Sequence, residues 1–160
     1  MCFTVRWSTL VMLIAAAGVV RAGDERRADD DEIVRAPSAA QITSLCTEAG
    51  YRDIEPVPIA EPGEIILKMR HDEETFMAFF FVKTGVLTLG TARREHAATL
   101  EKINAFNQSS TAHKATLTAD GLAKLELNLE LRDGVTKRTL RRAIAFFPAM
   151  AKVFRKDVCE

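Results

Sequence analysis

"LELNLEL", residues 125–131, alternates leucine with polar residues without a break. Successive side chains of an extended chain point to opposite faces. Leu125, Leu127, Leu129 and Leu131 therefore share one face, and Glu126, Asn128 and Glu130 share the other. Strict period 2 over this length predicts a strand with one buried side and one wet side. Strands of a parallel sheet are buried on both faces, so the ladder argues for an antiparallel sheet covered on one face only.

The neighbouring segments supply the cover. After the turn "RDGVT" (132–136), Leu140, Ile144, Phe147, Ala151 and Phe154 recur at helical spacing and predict a last helix from about Thr136 to Phe154. Pro148 lies inside it. Proline lacks an N–H and clashes with the carbonyl four residues earlier, here Ile144, so a kink or break is expected. Upstream, "ADG" (119–121) turns the ladder back onto a strand over 113–118. A helix is expected over about 93–107. At about 100° per residue, Asn104 and Asn107 fall on the face that carries Leu100 and Ile103.

The first half of the chain reads as follows. Ser38 and Gln41 have capping-box spacing ahead of Ile42, Leu45, Cys46 and Ala49, and Gly50 closes this helix. Tyr51–Ile59 is extended, but Pro56 and Pro58 confine it to an edge. Residues 65–70 alternate up to a polar tip, "HDEE" (71–74). Thr75–Val82 is the most apolar segment and is expected at the centre of the sheet, followed by a short strand at Val86–Leu89. The predicted fold is α+β: an antiparallel sheet with helices packed on one face, in the order α-β-β-β-α-β-β-α, with 86–89 an optional fourth strand before the second helix.

One domain of ordinary size fits 160 residues. Its 22 basic and 22 acidic residues cancel, which gives no overall pull toward nucleic acid or an anionic membrane. Residues 1–22 differ from the rest. Arg6 precedes an uncharged run, Trp7–Val20, and Val20 and Ala22 occupy the −3 and −1 positions of a signal-peptidase site. A bilayer span needs about 20 apolar residues, so residues 1–22 are expected to be a signal peptide cleaved after Ala22. The competing reading is an uncleaved anchor. Residues 23–36, "GDERRADDDEIVRA", read as a disordered acidic spacer, leaving 37–156 as the folded domain. Export makes the protein periplasmic or secreted, with membrane contact only through the signal peptide.

Catalytic and metal motifs are lacking, and His96 and His113 have no ligand spacing; His71 in its acidic tip reads as an exposed turn, with weak binding of a divalent ion the alternative. No enzyme activity, cofactor or metal is expected. Lys137, Arg138, Arg141 and Arg142 crowd the start of the last helix, where cations oppose the helix dipole by about 0.3–1 kcal/mol each. They are candidates for contact with an acidic partner; a solvated face answered by Asp133 and strand glutamates is the plainer alternative. Cys46 and Cys159 are a candidate disulfide, against a reading in which Cys46 is a small reduced core residue.

"INAFN" (103–107), the leucine ladder, "DGVT" (133–136) and the final helix together resemble the YbjN family of small bacterial proteins, and "LCTEAGY" (45–51) also fits. Asn104, Phe106, Asn107 and Gly134 carry the resemblance, which spans about residues 38–156. Phe106 stands where the family often has tryptophan. The family implies an α+β fold similar to type III secretion chaperones and a role as a sensory-transduction regulator, with no catalytic residues. Many members are cytoplasmic, so the signal peptide departs from the pattern. Asn107 is expected to end its helix and Asn104 to bond the backbone of the next hairpin; binding of a ligand by the amides is the alternative. The function expected is a non-enzymatic exported module, chaperone-like, that accepts a protein or peptide segment, with homodimerisation open. The alternative is a small-ligand or envelope-stress sensor domain.

Overall fold

The computed structural model describes residues 27–58, 63–95, 97–110 and 113–160. The signal-peptide expectation for 1–22 and the first part of the spacer lie outside these residues. Two short strands, β1 (Ile33–Val34) and β8 (Val135–Thr136), pair with each other. Six others form one antiparallel sheet: β2 (Arg52–Pro56), β3 (Glu64–His71), β4 (Glu74–Phe81), β5 (Val86–Arg94), β6 (His113–Leu117) and β7 (Leu122–Glu130). Their order in space is β2-β3-β4-β5-β7-β6. Helices α1 (Ala39–Glu48), α2 (Leu100–Ser109) and α3 (Lys137–Phe154) lie on one face, and a π turn, Arg155–Cys159, follows α3. The α+β architecture predicted from the ladder is the one formed.

Local chemistry explains the elements. Gln41 donates its backbone N–H to Ser38 Oγ at 3.2 Å and Ser38 donates its own to Gln41 Oε1 at 2.9 Å, the reciprocal capping box that starts α1. Thr99 and Thr136 accept in the same way at the starts of α2 and α3. On β7, Leu125 and Leu127 are buried, Leu131 is buried just past the strand, and Asn128 and Glu130 are exposed. The core lies between this face and the helices, with Phe76, Phe80, Leu89, Ile144 and Phe147 among its buried members.

Three expectations change. First, β5 runs to Arg94 rather than Leu89, and α2 begins at Leu100 rather than near 93. Nine consecutive residues of β5 pair with β7, and this long ladder outweighs the helix-forming composition of 91–94. Second, α3 does not break at Pro148. The acceptor that proline strands, the Ile144 carbonyl, receives the Tyr51 hydroxyl at 3.2 Å. Third, residues 27–36 are not a disordered spacer. Asp30 is only 4% exposed, β1 pairs with β8, and the carbonyls of Asp30 and Glu32 accept the backbone N–H groups of Arg138 and Lys137 at 3.1 and 2.8 Å. The acidic segment caps α3.

Candidate functional site

The cationic start of α3 meets this segment rather than Asp133. Lys137 Nζ lies 2.5 Å from Asp29 and 3.3 Å from Glu32; Arg138 Nε lies 3.3 Å from Asp30; Arg141 pairs with Asp30 directly, with Glu48 at 3.2 Å and with Asp29 at 3.5 Å. Asp29 is held below its usual range, first by the hydrogen bond from Lys137, and Lys137 is raised in return. Asp30 is lowered too, first by the Arg27 backbone N–H and then by Arg138 and Arg141. Carboxylates at a helix N-terminus also answer its dipole. Lys137, Arg138 and Arg141 are thus engaged within the chain.

The bond to the next hairpin expected of Asn104 is made by Asn107, and neither asparagine ends the helix, which runs on to Ser109. Asn107 remains inside α2 and grips β6: its Nδ2 donates to the Ala115 carbonyl at 2.9 Å, and the Ala115 N–H donates to its Oδ1 at 2.7 Å. Asn104 is exposed, and Leu100 is 64% exposed; the buried stripe of α2 is Ile103 and Phe106. The core direction of α2 thus runs through Ile103 and Phe106, not through Leu100 and Asn104. Phe106 meets Phe154 edge-on at 5.4 Å. Gly134 has φ +91°, and a Cβ there would lie 2.5 Å from Ile33 Cγ2, so only glycine lets β1 dock. Phe106, Asn107 and Gly134 thus have structural roles, and Asn104 lies on the surface.

Cys46 and Cys159 are free thiols, each buried, and no bridge joins them. Cys46 faces Tyr51 under α1, whereas the π turn carries Cys159 toward the charges of Glu95 and Arg93 at the end of β5 and Lys102 at the start of α2. Burial pushes the Cys46 thiol up to about 12 and raises Cys159 as well. His71 is not a free turn residue: its ring packs edge-on against Tyr51 at 5.3 Å. It borders a cleft of about 310 Å³ with Asp72, Glu74, Pro148, Lys152 and Arg155. Lys152 pairs with Asp72 at 2.9 Å and Arg155 with Glu74 at 3.2 Å, so these charges already answer one another. No group of three or more metal-ligating side chains converges among the described residues.

The remaining surface of note is the sheet face turned away from the helices. Cross-strand pairing sets Ile66 beside Phe79, Phe79 beside Thr88 and Thr88 beside Asn128. The next row on this face is Lys68, Met77, Gly90, Glu126 and Lys114. Phe79 and Phe81 stack with ring planes 3° apart and centroids 6.3 Å apart. A Cβ on Gly90 would lie 3.9 Å from the Phe79 ring, which leans across the glycine. Ile66, Met77, Phe79, Phe81 and Val86 are all partly exposed, a contiguous apolar strip over three strands. Apolar patches rimmed by polar residues are a common feature of protein contact sites.

The sequence reading does not single out these five residues; it marks Thr75–Val82 only as the most apolar strand, at the centre of the sheet. The signal was present in the ladder: a sheet with one wet face must place alternate residues of every strand on it, aromatic ones included.

The sequence model of the YbjN family, described as "Putative bacterial sensory transduction regulator", matches residues 38–160. No curated protein and no solved structure matches the chain.

Proposed function

Because the chain belongs to the YbjN family, we propose that it is a non-enzymatic regulator that works by binding protein through the uncovered face of its sheet. The observation that supports this is the strip of Ile66, Met77, Phe79, Phe81 and Val86, partly exposed at the middle of a six-stranded sheet. Buried apolar area drives most protein association, and aromatic residues in particular anchor interfaces. A chaperone-like module that shields a protein segment would use such a surface. The reading also takes the protein to act outside the cytoplasm, after loss of residues 1–22, on the strength of the uncharged run and the small residues before Gly23.

A photo-crosslinking side chain at Thr88, on the open face, tests the reading against one at Asn104, on the exposed side of α2. In cells, Thr88 is expected to capture protein and Asn104 is not. Capture at Asn104 alone would overturn the proposal.

The cleft by Pro148 favours a second reading, a small-ligand sensor, because His71, Lys152 and Arg155 converge on it. The pairings of Lys152 with Asp72 and of Arg155 with Glu74 weigh against it.

A further inference from the structure

Residues 27–36 lie as a strap across the start of α3, and the surface beneath the strap is built to receive an extended acidic segment. Three of its features belong to the body of the fold. The backbone N–H groups of Lys137 and Arg138, in the first turn of α3, donate to the Glu32 and Asp30 carbonyls at 2.8 and 3.1 Å. The side chains of Lys137, Arg138 and Arg141 converge on the carboxylates of Asp29, Asp30 and Glu32. Strand β8 offers a backbone edge, which the strap takes through the pairs Ile33–Thr136 and Val34–Val135. Gly134, without a Cβ, leaves the notch over which Ile33 and the Arg35 stem lie. The surface therefore reads carboxylates with the spacing of Asp29, Asp30 and Glu32, followed by two extended aliphatic residues. Backbone pairing at an edge supplies affinity in such a contact, and the side-chain sites supply selectivity.

The strap is held by contacts that exchange readily. Val34 is the one apolar side chain of residues 27–36 that is buried, and Ile33 is half exposed. The rest of the grip is ionic and lies near the surface, where solvent and salt weaken each pair. The body of the fold keeps its own supports without the strap. Thr136 Oγ1 still caps α3, accepting the Thr139 N–H at 3.2 Å, and Arg141 still has Glu48 of α1 at 3.2 Å. The strap also lies in front of residues 38–160, the part of the chain that matches the family. It is seated on the shared domain from outside that domain.

We propose that β8 and the cationic start of α3 form a binding groove for an extended acidic segment of another protein, and that residues 27–36 close this groove as an intramolecular occupant. The groove lies on the helix side of the sheet, so the proposal stands apart from the reading of the open face. A partner must compete with a strap joined directly to α1, and a short tether of this kind holds its segment at an effective concentration of about 1 mM. Loosening the strap is then the step that gives the partner access.

Fluorescence anisotropy with two labelled peptides and the full chain tests this. One peptide is the strap itself, residues 27–36. The other has an unrelated sequence but carries carboxylates in the same three places and two branched aliphatic residues after the last. The wild-type chain should bind both weakly, and Asp30→Asn in the chain should tighten both at least about tenfold by releasing the tethered competitor. Arg138→Glu added to Asp30→Asn should abolish binding, with the circular dichroism spectrum as the check on the fold. Peptides with asparagine in place of the three carboxylates should not bind, which makes the same test without altering the protein. An Asp30→Asn chain that binds neither peptide, or binds them no better than wild type does, would overturn the proposal. So would binding of the strap peptide alone, which would make the groove a seat for the strap only. Asparagine peptides that bind as tightly, or binding that survives Arg138→Glu in a folded chain, would overturn it as well.

Discussion

The Tyr51 hydroxyl donates to the Ile144 carbonyl, the one acceptor that Pro148 leaves without a helical partner. Tyr51 follows α1 and Ile144 sits in the middle of α3, so a single hydrogen bond ties the end of the first helix to the weak point of the last. Both residues are buried, and a buried carbonyl without a donor costs about 1–3 kcal/mol.

Tyr51→Phe should lower stability by about that amount, 1–3 kcal/mol. In a Pro148→Ala background the restored amide satisfies Ile144, and the same substitution should cost much less. Urea melts of the four proteins measure the coupling. Equal costs in both backgrounds would mean that the bond does not compensate for the proline.

Leu127→Ala removes a buried side chain and should cost about 2–5 kcal/mol. Asn128→Ala, one residue on, faces solvent and should be nearly silent. Thermal melts that rank them the other way would invert the face assignment of β7.

Asn107→Ala should destabilise by about 1–3 kcal/mol, because it strips partners from both backbone groups of Ala115. Asn104→Ala should leave the melt unchanged. Equal losses at both positions would argue against the assignment of the grip to Asn107.

The docking of residues 27–36 on α3 should depend on pH. Asp29 and Asp30 are held below their usual 3.8 when docked, so the detached segment binds protons more readily. The stabilisation is complete above the free value and is lost as pH falls through the docked one. Hydrogen exchange should show the Lys137 and Arg138 amides protected down to about pH 4 and released below it, with Leu89 as the core reference. Asp30→Asn should loosen the segment already at pH 7. Protection that holds to acid in step with Leu89 would contradict this.

Neither cysteine should react with a thiol reagent in the native protein near neutral pH, since burial holds both in the protonated form. Unfolding without reductant should expose both Cys46 and Cys159 to labelling. A disulfide-linked peptide pair in the digest would show that the thiols are joined after all.

What the sequence disclosed follows the range of each interaction. The ladder of β7, the capping box of α1 and the stripe of α3 are local patterns, written within a turn or a few strand residues. The partners of Lys137, Arg138 and Arg141 lie more than a hundred residues away in Asp29, Asp30 and Glu32, and no local spacing encodes them. The start of α2 was obscured for a related reason: the residues that hold 91–94 in a strand belong to β7, on the far side of a helix and another strand. The open face was implied by the ladder, yet the apolar run of β4 masked it, because a continuous run looks alike whether one side or both are covered.

The place of β5 between β4 and β7 also sets the order in which the chain becomes safe. Strands β2 to β5 can pair in sequence as the chain folds. The outer edge of β5, which ends at Arg94, has no partner until β7, which ends at Glu130, joins it. Until then the partly formed sheet presents a nine-residue row of unpaired backbone groups, the feature by which sheets join to strangers. Variants that slow the docking of β7 should therefore aggregate on refolding at concentrations where the wild-type chain does not.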